Sequence, residues 1–193
     1  MQLNTTPLPK RASGNIVLVG MMGAGKTTVG KCLARQLGKT FIDSDDEIQR
    51  RTGVSIPHIF EVEGEEGFRR RESCVIHDLM QRNDIVLATG GGAVIKSENR
   101  GEICKNGLVV YLKGSVHELW QRTRHDRNRP LLQTADPRAK LLELLNQRDP
   151  LYTEVADLVV LTGRQGVQTL VAELIKKLGL APTHPQVAEP CKP

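Results

Sequence analysis

Aromatic side chains are scarce in this chain, at 3% (three Phe, two Tyr and one Trp). A protein that holds single-stranded nucleic acid by stacking its bases needs more than that. Long apolar runs are missing too: no stretch approaches the roughly 18 residues that cross a bilayer, so neither a membrane span nor a membrane partner is expected. Cysteine is limited to Cys32, Cys74, Cys104 and Cys191, with no C-x-x-C pair and no histidine at ligand spacing, which excludes a zinc site or a disulfide frame as the organising element. Nor is there a large excess of one charge. The formal net charge is +5, and leaving out the ends (Lys10, Arg11 and Lys192 against Glu189) lowers it to +3. That balance is too mild to indicate a nucleic-acid partner. The opening residues, MQLNTTPLPKRASG, lack the apolar stretch of a signal peptide, and the cytoplasm is the expected compartment.

What is present has the size and pattern of one domain. The chain has 193 residues, enough to bury a substantial core. Five short apolar runs, 15–20 (NIVLVG), Thr40–Asp43 (TFID), Ile85–Ala88 (IVLA), 108–112 (LVVYL) and Leu158–Leu161 (LVVL), alternate with helical patterns. Such alternation predicts an α/β fold, a doubly wound sheet of five parallel strands with helices on both faces. The helices carry their own signals. Val29, Leu33 and Leu37 share one helical face with Gly38 as the stop, Ser115 and Glu118 form a capping box, and Asp136-Pro137 reads as N-cap and first turn. Val167, Leu170, Val171, Leu174, Ile175 and Leu178 make a core-facing stripe. Two stretches differ from plain crossovers: a long charged helical segment at about 44–82, and a polar, Arg-rich segment at about 124–135. On an α/β sheet such insertions are expected to serve as a substrate-binding unit and a lid. The single domain is expected over 14–179, with 1–13 and 180–193 as disordered tails.

The strongest local signal is Gly20-Met21-Met22-Gly23-Ala24-Gly25-Lys26-Thr27, which fits G-x-x-x-x-G-K-[ST] between a strand and a helix. In this pattern glycines let backbone N–H groups close on phosphates, and the helix N-terminus adds positive potential. The lysine reaches the transferring oxygens and the hydroxyl serves Mg²⁺. Gly23, Ala24, Gly25, Lys26, Thr27 and Thr28 are therefore the expected nucleotide-binding positions, ATP and Mg²⁺ the expected cofactors, and the fold a P-loop NTPase-like three-layer sandwich.

The remaining motifs concern the acceptor. A nucleotide hydrolase usually keeps an Asp at a later strand end for Mg²⁺, but the IVLA strand ends in Thr89-Gly90-Gly91-Gly92. Carboxylates instead follow the second strand, in Asp43-Ser44-Asp45-Asp46. Asp43 and Asp45 alternate at a strand end, so one can reach the metal shell and the other a substrate hydroxyl. One or more of this cluster could instead N-cap a helix starting near Glu47, and Asp46 is read as the likelier cap or a solvated residue. The glycine triplet presents bare backbone to an oxygenated ligand. Arg69, Arg129 and Arg148 offer planar forks suited to a carboxylate or phosphate.

Together, GMMGAGKTTVG, DSDDEI, F-x7-FRRRE (Phe60 to Glu72), LATGGG, RPLL and R-D-PLY-x-EVA resemble the shikimate kinase family over about residues 15–178. The resemblance implies transfer of the γ-phosphoryl group of MgATP to the 3-hydroxyl of shikimate. It implies Asp45 as the base that contacts substrate hydroxyls, Asp43 and Thr27 beside Mg²⁺, and Lys26 and Arg129 as catalytic cations. Arg69 and Arg148 would grip the substrate carboxylate, with Gly91 and Gly92 presenting backbone, Phe60 and Phe68 forming an apolar wall and Glu72 partnering Arg69. Arg122 would lie near adenine, and Arg164 in the adenine loop. A monomer is expected. A gluconate-type small-molecule kinase and a nucleotide-dependent switch are the rival readings; neither requires two carboxylate-gripping arginines beside a glycine triplet.

Overall fold

The computed structural model describes residues 14–125, 130–163 and 165–182. The five apolar runs form five strands, β1 (Ile16–Val19), β2 (Thr40–Asp43), β3 (Ile85–Ala88), β4 (Leu108–Lys113) and β5 (Leu158–Leu161). They make one parallel sheet in the order β2-β3-β1-β4-β5. The central strands β1 and β3 are buried at every residue, which is why their sequences read as continuous rather than alternating hydrophobics. Each fully buried Leu, Ile or Val there contributes roughly 1.5–3 kcal/mol relative to its exposed state.

Topology then fixes where a ligand can sit. The chain leaves β1, forms α1 (Lys26–Leu37), and crosses over β3 to reach β2 at the sheet edge. The strand order therefore reverses beside β1, and a crevice opens beyond the carboxyl ends of the strands at such a point. Register brings those ends level: Leu18 of β1 faces Ala88 of β3, and Ala88 faces Asp43 of β2. Gly20, Asp43, Ser44 and Thr89 thus emerge side by side.

The helical signals are met. α1 ends on Gly38 in the left-handed conformation, α5 (Val116–Thr123) carries the Ser115–Glu118 capping box, and Asp136 caps α6 (Pro137–Val155) by accepting from Ala139 N–H at 2.9 Å. α7 (Val167–Leu178) buries Leu170, Val171, Leu174, Ile175 and Leu178, and packs beside α1. α4 (Ser97–Asn106) covers the crossover from β3 to β4.

The 44–82 insertion is two helices, α2 (Ser44–Thr52) and α3 (Ile56–Met80). α3 breaks at Gly64, whose φ of 69° and ψ of −176° are open only to glycine. Phe60 lies before the break; Phe68, Arg69 and Glu72 lie after it. One expectation is corrected here: the α2 helix begins at Ser44, and its N-cap is Asp43, not Asp46. The reason is local, since Asp43 keeps the extended backbone of β2 while its Oδ1 accepts from Asp45 N–H at 3.0 Å. Of the 124–135 segment, residues 130–132 form a 3-10 turn with Leu132 buried against the core. Residues 126–129 and both chain ends, 1–13 and 183–193, lie outside the described residues. No described helix is long and apolar enough to cross a membrane.

Candidate active site

A cavity of about 640 Å³ opens over the carboxyl ends of β1 and β2, lined by Met22, Gly23, Gly25, Lys26, Thr27, Thr28, Asp43, Asp45 and Arg122 among others. Its floor is the loop between β1 and α1. Gly23 and Gly25 take φ values of 79° and 90°, a left-handed geometry that turns the loop around the position a phosphate would fill. α1 starts directly after Gly25 with no side-chain cap, leaving the helix N-terminus open to an anion. Lys26 is buried against the loop, its Nζ donating to the carbonyls of Gly20 at 2.7 Å and Met21 at 2.9 Å. Ala24 does not border the cavity: its methyl is buried and its N–H closes a turn on the Met21 carbonyl at 3.1 Å.

Thr27 and Asp43 meet as the motif spacing suggested, Thr27 Oγ1 donating to Asp43 Oδ2 at 2.8 Å. Asp43 therefore uses one oxygen to cap α2 and the other to face the loop. Among the described residues no cluster of three or more His, Cys, Asp or Glu could hold a metal. The Thr27–Asp43 pair fits an octahedral Mg²⁺ that takes one or two protein oxygens and completes its shell with phosphate oxygens and water. At the far rim, Arg122 donates to Gly23 O at 3.1 Å and Gly163 O at 3.4 Å. It joins the phosphate loop to the loop after β5. Arg164, expected in that loop, and Arg129 both lie outside the described residues.

A smaller recess of about 70 Å³ adjoins the first and is lined by Asp45, Phe60, Phe68, Arg69, Glu72, Gly91, Gly92, Pro130, Leu131 and Arg148. These residues come from five separate parts of the chain. The Phe60 and Phe68 rings stand 4.9 Å apart, and the Arg69 guanidinium lies 5.1 Å over the Phe68 ring. Arg69 Nη1 donates to Glu72 Oε2 at 2.7 Å and Nη2 to Glu65 Oε1 at 2.9 Å. Glu72 is fully buried, with Oε1 lacking a hydrogen-bond partner among the described residues, and burial pushes its carboxyl above the usual range against the pull of Arg69. Burial also works against the charge of Arg69, but Glu72 and Glu65 outweigh it and the guanidinium pKa is raised.

Arg148 differs. It is 3% exposed; its Nη1 donates to the Gly91 carbonyl at 3.3 Å and its guanidinium also meets the Tyr152 hydroxyl, but it forms no ion pair among the described residues. Burial accordingly lowers its pKa. Glu65 and Glu72 act on it only at a distance; a buried guanidinium with no direct ion pair among the described residues is costly, and an anionic ligand in the recess would supply a direct partner. Gly92 closes the recess so tightly that a Cβ there would overlap the Arg69 guanidinium. A Cβ on Gly90 would likewise meet Asp45 and Glu72 oxygens at 2.7 Å, whereas one on Gly91 would meet nothing nearer than 3.4 Å, so close approach requires glycine at 90 and 92.

Asp45, Met22 and Gly91 border both cavities. Sequence reading did not single out Met22, Ser44, Thr89 or Tyr152. Ser44 Oγ accepts from Gly90 N–H at 2.9 Å, and both the amide and the hydroxyl of Thr89 donate to Leu18 O at 3.1 Å, so these two residues hold the glycine triplet against β1 and α2. The quoted LATGGG and DSDDEI motifs contain both, but only the sheet register shows that they meet.

A nucleotide cradle, a Mg²⁺-suited hydroxyl–carboxylate pair and an adjoining cationic recess on a parallel α/β sheet define a P-loop phosphotransferase with a small anionic acceptor. The comparisons with known proteins specify it further. A family model described as shikimate kinase matches residues 22–179. The chain is 57% identical to a shikimate kinase of Chromobacterium violaceum over 180 residues, 93% of this chain and 98% of that protein. It is 60% identical to one of Thiobacillus denitrificans over 166 residues, 86% and 91% respectively. Among solved structures it resembles a shikimate kinase of Acinetobacter baumannii in complex with shikimate, with a TM-score of 0.84 and 51% identity over 86% of this chain and 93% of that one. The chain belongs to the shikimate kinase family. A gluconokinase of Sinorhizobium meliloti, 20% identical with a TM-score of 0.55, shares the fold alone.

Proposed function

We infer that the protein transfers the γ-phosphoryl group of MgATP to the 3-hydroxyl of shikimate, giving shikimate 3-phosphate and ADP for aromatic amino-acid biosynthesis. Membership of the family supports the reaction, and the observation that carries the division of roles is that Asp45 borders both cavities. A carboxylate there lies between the phosphate loop and the recess with two buried guanidiniums. It is suited to orient the acceptor hydroxyl and take its proton.

When bound, MgATP supplies the phosphoryl group and a divalent charge that neutralises it. The chain's own residues do the rest. The open N–H groups of the loop and the N-terminus of α1 hold the phosphates, and Lys26 exchanges its backbone carbonyl partners for phosphate oxygens. Thr27 and Asp43 would hold the Mg²⁺. Arg69 and Arg148 bind the shikimate carboxylate, the phenylalanine pair covers the ring, and Gly91 and Gly92 offer backbone to its oxygens. Arg122 is assigned to the adenine rim. Arg129 closing over the phosphates and Arg164 beside adenine remain assignments carried by family resemblance. We also propose that the protein acts as a monomer in the cytoplasm, since residues of one chain suffice for both cavities and its donor is ATP.

A coupled assay for ADP is the test. ADP release that requires shikimate and is not supported by gluconate is the expected result. Equal ADP release with no acceptor would instead identify a hydrolase or switch and overturn the assignment.

A further inference from the structure

One buried polar group on the acceptor side has no part in the chemistry above. Tyr152, on α6, has no exposed surface. Its hydroxyl donates to the Gly91 carbonyl, lies 3.5 Å from Met21 Sδ, and rests against the Arg148 guanidinium. Arg148 Nη1 donates to the same carbonyl at 3.3 Å, so one oxygen takes two donors from one turn of α6. The Tyr152 ring is braced by Tyr111, 5.0 Å away between centroids. The Tyr111 hydroxyl points elsewhere, donating to Asp149 Oδ1 at 2.6 Å, while Lys113 holds Asp149 Oδ2 at 2.9 Å.

The consequence follows from peptide geometry. A trans peptide is planar, and its C=O and N–H point in opposite directions; no described peptide is cis. With the Gly91 carbonyl held by Tyr152 and Arg148 of α6, the N–H of Gly92 is directed away from those two donors, and Gly91 and Gly92 both line the recess. Glycines at 91 and 92 give this peptide no side-chain preference for either orientation. Something else must select it, and the donors that do so are Tyr152 and Arg148.

We propose that Tyr152 is a positioning residue for the acceptor: its hydroxyl fixes the Gly91–Gly92 peptide and the Arg148 guanidinium in one arrangement, so that an N–H and a planar fork meet the same anionic substrate. Burial pushes the phenol pKa upward, which keeps the hydroxyl a donor throughout the working pH range. This assignment rests on reading the recess as the shikimate site.

Tyr152→Phe deletes only the hydroxyl, and Tyr111→Phe is its control, removing the hydroxyl of the neighbouring buried ring, which bonds Asp149 and not Gly91. Steady-state kinetics with each substrate varied, alongside thermal melts, give the readout. For Tyr152→Phe the KM for shikimate should rise about tenfold, with kcat and the KM for ATP within about threefold of wild type, as expected for one lost hydrogen bond to a binding loop. Tyr111→Phe should leave all three parameters unchanged. In a double-mutant cycle with Arg148→Lys, the second substitution should cost less in the Tyr152→Phe background than alone, because the two residues share one acceptor. An unchanged KM for shikimate in Tyr152→Phe, an equal rise in Tyr111→Phe, a parallel rise in the KM for ATP, or strict additivity in the cycle would each overturn the proposal. A wild-type enzyme without shikimate-dependent ADP release would sink the acceptor reading itself, an outcome seen before any variant is made.

Discussion

The two halves of the active site are built from different materials. The nucleotide side is backbone: a glycine loop with left-handed residues, an uncapped helix N-terminus, and few side chains, all within residues 20–28 and Asp43. The acceptor side is buried side-chain charge, with Arg69, Glu72 and Arg148 each less than 10% exposed and drawn from two distant helices onto a glycine triplet. Backbone donors bind any polyphosphate of the right shape. Buried charge is selective, because desolvated groups left unpaired by a wrong ligand impose a penalty that no other contact offsets. Generality therefore belongs to the phosphate loop and acceptor choice to the recess.

The largest effect expected is at the phosphate loop. Lys26→Ala should lower turnover at least a thousandfold, about 4 kcal/mol of transition-state stabilisation, with the fold intact because Nζ serves loop carbonyls and not the core. A variant that keeps more than about a tenth of the wild-type rate, a loss of under about 1.4 kcal/mol, would remove Lys26 from the mechanism.

Next come the two arginines, which should separate. Arg148→Ala removes a buried cation that has no direct ion pair among the described residues, so it should weaken shikimate binding by about 2–5 kcal/mol without lowering the melting temperature. Arg69→Ala should weaken shikimate binding comparably and also destabilise the fold, by about 3–5 kcal/mol, because it strands the buried Glu72. ATP affinity should hold in both. Equal melting temperatures for the two variants would mean that Glu72 does not depend on Arg69, and the contrast between a paired and an unpaired arginine would collapse.

A milder perturbation acts through shape. Gly92→Ala places a methyl on the Arg69 guanidinium, and overpacking of this kind costs about 1–3 kcal/mol. The KM for shikimate should rise while nucleotide affinity, measured by calorimetric titration with ADP, stays at the wild-type value. A loss of ADP affinity would show that the two sides are not as separate as their construction suggests.

This contrast also explains what could be read from the chain alone. The phosphate loop is local: strand, glycines, Lys26 and Thr27 are consecutive, so their spacing carries the geometry. The strands and helix caps were legible for the same reason. The recess is not local. Arg69 and Arg148 are 79 positions apart, and nothing in their spacing shows that both face Gly91 and Gly92; that pairing came from resemblance to a family. Tyr152 went unremarked though it lies in the quoted PLY motif, because a tyrosine in a helix next to hydrophobics reads as core until its hydroxyl is seen on a glycine carbonyl. Sequence spacing points Asp43 to the metal and leaves Asp46 as the likelier cap or a solvated residue. Asp43 does both, since a carboxylate has two oxygens and the helix starts as soon as the strand ends.

The smallest expected effect tests the scaffold behind the recess. Glu47 on α2 accepts from Arg50 Nε and Nη2 and from Arg51 Nε, each at 2.8 Å, and Arg51 reaches Asp78 on α3. The hydrogen bonds from Arg50, with those from Arg51, pull the Glu47 carboxyl down from 4.5 to about 2. A folded-state pKa below the unfolded one means that the unfolded chain binds the proton more tightly. The stabilisation is therefore fully present above pH 4.5 and is lost as pH falls towards 2. Because Arg50 is largely exposed, solvent screening holds the contribution to about 1 kcal/mol. Glu47→Gln should be less stable than wild type by that amount in urea melts at pH 7, and the gap should close as pH approaches 2. Hydrogen exchange at pH 3 should show α2 and the adjoining part of α3 opening before α1, whose start depends on backbone and glycine geometry instead of carboxylate pairs. A gap between variant and wild type that is constant from pH 7 to pH 2 would mean that Glu47 acts through packing, and the acceptor side would lose its claim to be the half of the site held together by charge.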